Sequence, residues 1–398
     1  MRGLFGATMR SDNFNTTEIA SPARKLYFPY VDLARAAAVT LVVVYHLIVK
    51  LDWSAFPSSW GFNVFRMGWM GVDLFFVISG FVISMSLSRN MEDFGQSGYI
   101  KPYFRNRLAR IVPLYFLTSW CFLVLVEPQW FVNPPQQLWT NILSHAFFVH
   151  NLSPFYAGAL NGPAWSIGVE MQFYVCMALV FRWLPLHRPF LVCLVFIAAA
   201  LVWRAGVWYT FNPALDISIM VSRGQQFPGA LDAFGLGCAM ALIVRDRQHG
   251  FHKYLQAGWR NSTLWFAIAL ILSVTSWKIL WSYRTYWDLP AMVLFFRSLL
   301  ALTFSCWICF LVALPKRRLL VRVLSPLLYI GKVSYGVYLW HMLVILSVAK
   351  IGITHPAQAA MLVVLLTLAI SSFTWHFFEQ PLIRKYHDKP GTREHLSY

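Results

Sequence analysis

One stretch raises the chemical question at once. Residues 31–49 read V-D-L-A-R-A-A-A-V-T-L-V-V-V-Y-H-L-I-V, apolar enough for a membrane helix yet carrying Asp32, Arg35 and His46. Each ionisable group inside such a helix costs ~2.5–3.5 kcal/mol on insertion, which makes each a functional candidate. Arg35 and His46 are eleven positions apart. At ~100° per residue they return to nearly the same helix face, ~16 Å apart along the axis. A guanidinium grips phosphate through paired hydrogen bonds and keeps its charge. A neutral imidazole accepts a proton near neutral pH. One helix face thus offers an anion site at one end and a candidate general base at the other.

Further residues of the right types occur in other apolar runs. Asp73 and Glu170 are carboxylates of the kind that orient an imidazole. Ser79, Tyr335 and His341 are candidate donors to a developing oxyanion. Arg105, Arg107 and Arg110 open one run, as Asp32 and Arg35 open another and Lys332 a third. Alternating the runs across a bilayer sets these cations at one end, with His46, Asp73, Glu170 and His341 deeper in. The expected arrangement is a cationic vestibule below a His/carboxylate layer. A polyanionic donor with a long thin arm suits it, and coenzyme A, with phosphates at one end and a thioester at the tip of its pantetheine, is such a molecule. Blander roles exist for the same residues. Arginines at helix ends also mark topology or snorkel, Asp32 also serves as a cap, and membrane histidines also bond between helices.

The elements that must position these groups are membrane helices. Of 398 residues 58% are hydrophobic, 17% aromatic and 12% charged, the last about half the usual share. Apolar runs of about 20 residues, each long enough to cross the hydrocarbon, lie near 32–50, 69–88, 108–126, 165–184, 188–208, 228–245, 260–280, 290–313, 327–349 and 357–380. The expectation is an all-α polytopic membrane protein with about ten transmembrane helices. Its divisions are an N-terminal segment 1–30, a transmembrane domain 31–381 and a basic tail 382–398. The first thirty residues show no cleavable signal peptide.

The formal net charge is +17. Lys and Arg crowd alternate connections, whereas 127–164 holds none. That bias predicts both termini on the cytoplasmic side of a bacterial inner membrane. It implies contact with anionic lipid and no nucleic-acid partner. The segment 127–164 is read as an acceptor platform or a plain surface helix over 138–150, with Trp139 at headgroup level. The pair C-W-I-C at 306–309 lies in an apolar run without a second pair or a neighbouring His, so it reads as small-residue packing. No metal is expected, and nothing specifies an oligomeric state.

The motifs together resemble the acyltransferase 3 family of integral membrane O-acyltransferases. V-D-L-A-R followed by Y-H is similar to its arginine-x10-histidine signature, and G-V-D-L-F-F-V-I-S-G-F at 71–81 to its second block. F-R-N-R-L-A-R-I-V-P-L-Y at 104–115 resembles its arginine-rich block, and W-S-I-G-V-E-M-Q-F-Y, which Trp165 opens, its fourth. V-S-Y-G-V-Y-L-W-H at 333–341 and F-E-Q-P at 378–381 resemble its closing motifs. The resemblance implies transfer of an acyl group, usually acetyl, from cytoplasmic acyl-coenzyme A to a hydroxyl of a glycan, a lipid-linked precursor or a metabolite such as a macrolide. It implies catalysis by His46 and donor binding by Arg35. The sequence departs in two places. Ala36 stands where a glycine is usual, and the paired glutamates reduce to Glu170 followed by Met171.

The expected activity is acetyl transfer from acetyl-coenzyme A to a surface-glycan hydroxyl, with His46 as base and Asp73 or Glu170 orienting it. A route through acyl-His46 is the variant mechanism. Two other classes bury charge in helices. A secondary transporter does so, but internal repeats are not evident. A haem protein would use His46 and His341 as axial ligands.

Overall fold

In the computed structural model the described residues are 28–387, except 60, 133, 211–216, 284 and 354. Residues 1–27 and 388–398, most of the expected N-terminal segment and of the basic tail, lie outside them. Ten helices are long and apolar enough to cross a membrane. In chain order the main helices are α1 (Val31–Lys50), α2 (Gly71–Gly98), α3 (Ile100–Leu125), α4 (Pro135–Ala146), α5 (Trp165–Val180), α6 (Pro189–Thr210), α7 (Leu231–Arg245), α8 (Trp259–Ser282), α9 (Pro290–Ala313), α10 (Ser325–Ala349) and α11 (Pro356–Thr374). All but α4 are spans, and no strand occurs among the described residues. This is an all-α polytopic membrane fold. Only helices satisfy every backbone group within their own segment, which is why lipid selects them.

Two helices begin earlier than the sequence expectation. The third span begins at Ile100 and not near 108, so the whole basic block 101–110 forms the first turns of α3. Lys and Arg are good helix formers and nothing there breaks the ladder. The surface helix starts earlier, at Pro135, whose fixed φ suits a first helical position.

Glycines let the central helices approach. A Cβ at Gly331 on α10 would sit 1.8 Å from the Asp32 carbonyl oxygen on α1. One at Gly80 on α2 would sit 2.1 Å from the Phe234 oxygen, and one at Gly237 on α7 2.2 Å from that of Val77. Small residues at crossings permit this backbone contact, and van der Waals packing holds it where no hydrophobic drive operates between helices. The core lies between α1, α2, α3, α5, α7 and α10, with Val77, Phe173, Phe234 and Leu339 fully buried. Phe173 stacks on Phe234 at 3.9 Å. The lipid-side helices are α6 and α8, with 28% and 22% of their apolar windows inside. Cys306 and Cys309 are buried free thiols on α9, with Cys309 Sγ 3.4 Å from Met240 Sδ.

A second feature of the core is ionic. Arg204, 1% exposed near the end of α6, donates from Nη2 to Asp232 Oδ2 at the start of α7, at 2.5 Å. Ser298 on α9 joins them, accepting from Arg204 at 3.0 Å and donating to Asp232 at 2.6 Å. Beside them Arg297 donates to Asp73 Oδ1 at 2.7 Å. Breaking a buried pair on one side strands the other charge, at a cost of about 3–5 kcal/mol, whereas removing both is far milder. Arg204→Ala is therefore expected to lower the melting temperature in detergent strongly. Arg204→Leu combined with Asp232→Leu should recover most of the loss. A double variant no better than the single one would mean the pair is not the destabilised unit.

Candidate active site

A cavity of about 90 Å³ opens between α1, α2, α3, α5 and α10. Helical register explains its wall. Arg107, Arg110 and Ile111 share one face of α3, Ser166, Glu170 and Tyr174 recur every fourth residue on α5, and Ser334, Tyr335 and Tyr338 line the α10 side. Arg35 from α1 and Phe75, Phe76 and Ser79 from α2 complete it. Of the expected donor-binding residues, Arg35, Arg107, Arg110 and Ser79 meet there. Arg105 does not. It is exposed and absent from the wall, because two positions along a helix turn a side chain ~200° away from Arg107.

The cations differ in their partners. Arg35 pairs with Asp32 one turn before it, which gives Asp32 a role in holding that guanidinium. Arg107 lies over the Tyr174 ring, 5.7 Å from its centroid. Among the described residues, neither Arg107 nor Arg110 has a carboxylate within 4.0 Å. Half-buried guanidiniums facing a cavity without a carboxylate at hand suit an anionic ligand, phosphate above all.

The expected carboxylate partners of His46 are elsewhere. Asp73 is held by Arg297, as above. Glu170 accepts the hydroxyls of Ser79 and, at 2.5 Å, of Tyr174, so it ties α5 to α2 beside the cavity. The proposed oxyanion donors are also committed. Ser79 donates to Glu170, Tyr335 donates to the Ile111 carbonyl at 2.7 Å, and His341 Nδ1 lies 2.6 Å from the Tyr338 carbonyl. Trp165 packs edge-on to Phe76 at 6.5 Å where α5 begins, a structural contact outside the cavity wall.

His46 finds a different neighbour. Its Nδ1 lies 3.2 Å from Nε2 of His341, a fully buried residue on α10. Tyr338, whose carbonyl faces His341, also lines the cavity, so the wall reaches the histidine pair through that residue. Sequence reasoning missed Tyr338, Ser166, Arg297, Arg204 and Asp232 as site or support residues, and it marked Glu379 only as a span-end charge within the F-E-Q-P motif. The Y-x-x-H spacing of Tyr338 and His341 was the available signal, since i and i+3 share a helix face. Glu379 closes a π-helical turn, Trp375–Glu379, after α11 and is 3% exposed with Oε1 unpartnered. Such turns recur at functional sites.

Behind α5 lies the segment around α4. Its polar side faces inward, with Asn141 and His145 buried, while Trp139, Leu143 and Phe147 face out. His145 stacks on His150 at 4.0 Å with an interplanar angle of 12°. Burial holds both imidazoles neutral, with the His145 pKa pushed down to about 3 and that of His150 also lowered. Ring nitrogens bind metals within the ring plane, so two parallel rings at this distance do not chelate one ion. His150 Nε2 instead meets the Ala164 carbonyl at 2.9 Å, just where α5 starts.

The family described as Acyltransferase domain matches residues 28–376. The peptidoglycan O-acetyltransferase OatA of Listeria monocytogenes is 29% identical over 89% of this chain and 56% of its own length. The O-acetyltransferase OatA of Staphylococcus aureus is 24% identical over 90% of this chain and 58% of its own. The chain therefore spans little more than half the length of these relatives. No solved structure matches it. With the family match running from before α1 to beyond α11, the chain belongs to the integral membrane acyltransferase family.

Proposed function

We propose that the protein is a membrane O-acyltransferase that moves an acetyl group from cytoplasmic acetyl-coenzyme A to a hydroxyl of a cell-envelope glycan. The observation that carries this reading is the convergence of Arg35, Arg107 and Arg110 on one cavity, with His46 eleven positions beyond Arg35 on the same helix. Phosphates of the donor would bind at the three guanidiniums. The pantetheine arm would run along α1, and the ~16 Å between the two residues matches an extended chain rather than a compact ligand. His46 would take the hydroxyl proton as the oxygen attacks the thioester carbonyl. The proton then goes to the departing thiolate. Glycan acceptors are favoured by the two relatives, one of which is named for peptidoglycan and both for O-acetyl transfer. The membrane would be a bacterial inner membrane, with both chain ends and the Arg cluster on the cytoplasmic side.

His46→Ala tests the base directly. Transfer from labelled acetyl-coenzyme A to envelope glycan should fall by ~10²–10⁴-fold, the range for loss of a general base. Membrane insertion should persist, because an Ala leaves the span apolar. Substantial activity in the variant would remove His46 from the mechanism.

Donor binding has its own signature. Arg35→Ala and Arg110→Ala should each weaken acetyl-coenzyme A affinity by roughly tenfold or more, as expected for a charge-assisted hydrogen bond worth ~1.5–3 kcal/mol. Lysine at either site should restore part of it, supplying charge without the paired geometry. Arg105→Ala, on the exposed side of α3, should bind as the parent does. Equal losses from all three positions would indicate a diffuse field instead of a cavity site.

Sidedness supplies the third test. Inside-out and right-side-out vesicles, given labelled donor and a membrane-impermeant glycan acceptor, should transfer only with donor on the cytoplasmic face and acceptor on the other. Transfer that requires both on the cytoplasmic face would end the two-sided scheme while leaving the O-acyltransferase reading in place.

A further inference from the structure

We propose that His341 is the positioning residue of His46, fixing its tautomer so that Nε2 is the atom that takes the acceptor's proton. This rests on the function proposed above, and its ground is a chain of hydrogen bonds from the Tyr338 carbonyl through His341 to His46. The His46 ring also has the Val42 backbone as a hydrogen-bond partner one turn back. A carbonyl oxygen accepts and never donates. The Tyr338 carbonyl, 2.6 Å from His341 Nδ1, therefore places the hydrogen of His341 on Nδ1. A neutral imidazole carries one N–H, so His341 Nε2 presents a lone pair. That nitrogen lies 3.2 Å from His46 Nδ1, which must donate to it. His46 Nε2 is then left bare.

The fixed point of this chain is itself anchored. The Tyr338 hydroxyl lies 2.6 Å from Ser166 Oγ and donates to the Pro163 carbonyl at 3.0 Å. One residue on, the Leu339 carbonyl accepts from Asn161 Nδ2 at 3.0 Å. The turn before α5 thus clamps α10 where it presents His341. Among the described residues no carboxylate competes for the role, since Asp73 is bound to Arg297 and Glu170 to Ser79 and Tyr174.

A neutral acceptor suits a base inside a membrane. A second carboxylate at this depth would carry the insertion cost of a charge, whereas a neutral imidazole selects the tautomer without one. During transfer His46 Nε2 gains the hydroxyl proton as the acceptor O–C bond forms and the C–S bond breaks. His46 keeps its Nδ1–H toward His341 throughout, and the Nε2 proton passes to the thiolate, leaving the dyad as it began.

The test uses whole protein in detergent with ¹⁵N-labelled histidine, the His46 signals being assigned by their loss in His46→Gln. Wild type without donor should show a protonated Nδ1 and a bare Nε2 on His46. His341→Phe keeps a planar ring but offers no acceptor. It should give a mixture of His46 tautomers and a kcat lowered by ~10²-fold or more, with the KM for acetyl-coenzyme A unchanged. His341→Gln, whose amide oxygen can stand in for Nε2, should recover most of the kcat. A proton on His46 Nε2 in wild type, or a wild-type kcat in His341→Phe, overturns the proposal. The wild-type spectrum needs no acyl transfer, so a protein with this tautomer and no transferase activity would refute the function and leave the dyad intact.

Discussion

A set of ionisable side chains inside this bundle has been taken out of water, and the cost of doing so organises the rest. A charge in hydrocarbon must find an opposite charge, a hydrogen-bonding partner or a ligand. The described charges divide accordingly. Arg204 with Asp232 and Arg297 with Asp73 are matched pairs between helices, set where α2, α7 and α9 begin and α6 ends. They fix how four helices meet and leave no charge over for a ligand. Arg107 and Arg110 have no such partner and face a cavity instead. Pairs between helices mark the scaffold, while the cavity collects Arg107, Arg110 and an Arg35 paired only within its own helix.

The same division explains why one helix face carries most of the functional proposal. Along α1 the first turns hold Asp32 and Arg35 against the glycine notch at Gly331, where backbones nearly touch. Such contact lets α10 run closely beside α1, and that adjacency lets His341 reach His46 several turns further on. A side chain at Gly331 would separate the helices at one end and detune the histidine pair at the other. Close packing far from the chemistry thus sets a hydrogen-bond distance within it.

Much of this was legible in the sequence, for definite reasons. Membrane spans announce themselves because lipid demands long apolar runs, and the ten expected runs correspond to the ten helices. The relation of Arg35 to His46 was legible because helix geometry alone connects residues eleven apart. Arg105 was grouped with Arg107 and Arg110 because counting charges ignores register, and register turns it outward. Partnership was the larger gap. Asp73 or Glu170 is the expected partner of His46, yet Asp73 pairs with Arg297, 224 positions away, and the ring beside His46 is 295 positions away. Nothing local in a single sequence encodes which distant helix faces which. Only the fold decides between two carboxylates and a second histidine.

The choice of histidine over carboxylate follows from where the base must sit. Beside a buried imidazole a carboxylate has two effects, selecting a tautomer and stabilising the imidazolium through its charge. In water-accessible sites both come together at modest desolvation cost. Deep in a membrane bundle the charge needs further cations or donors, and the Asp73 and Glu170 carboxylates here are already engaged by such groups. A neutral imidazole supplies the first effect alone. The proposed base would gain direction without a permanent charge beside it. In the proposed mechanism, stabilisation of the developing positive charge on His46 would be left to the negative charge developing on the substrate's own thioester oxygen. A site of the proposed kind would work only when both substrates are in place, which would restrain hydrolysis of the donor while the acceptor is absent.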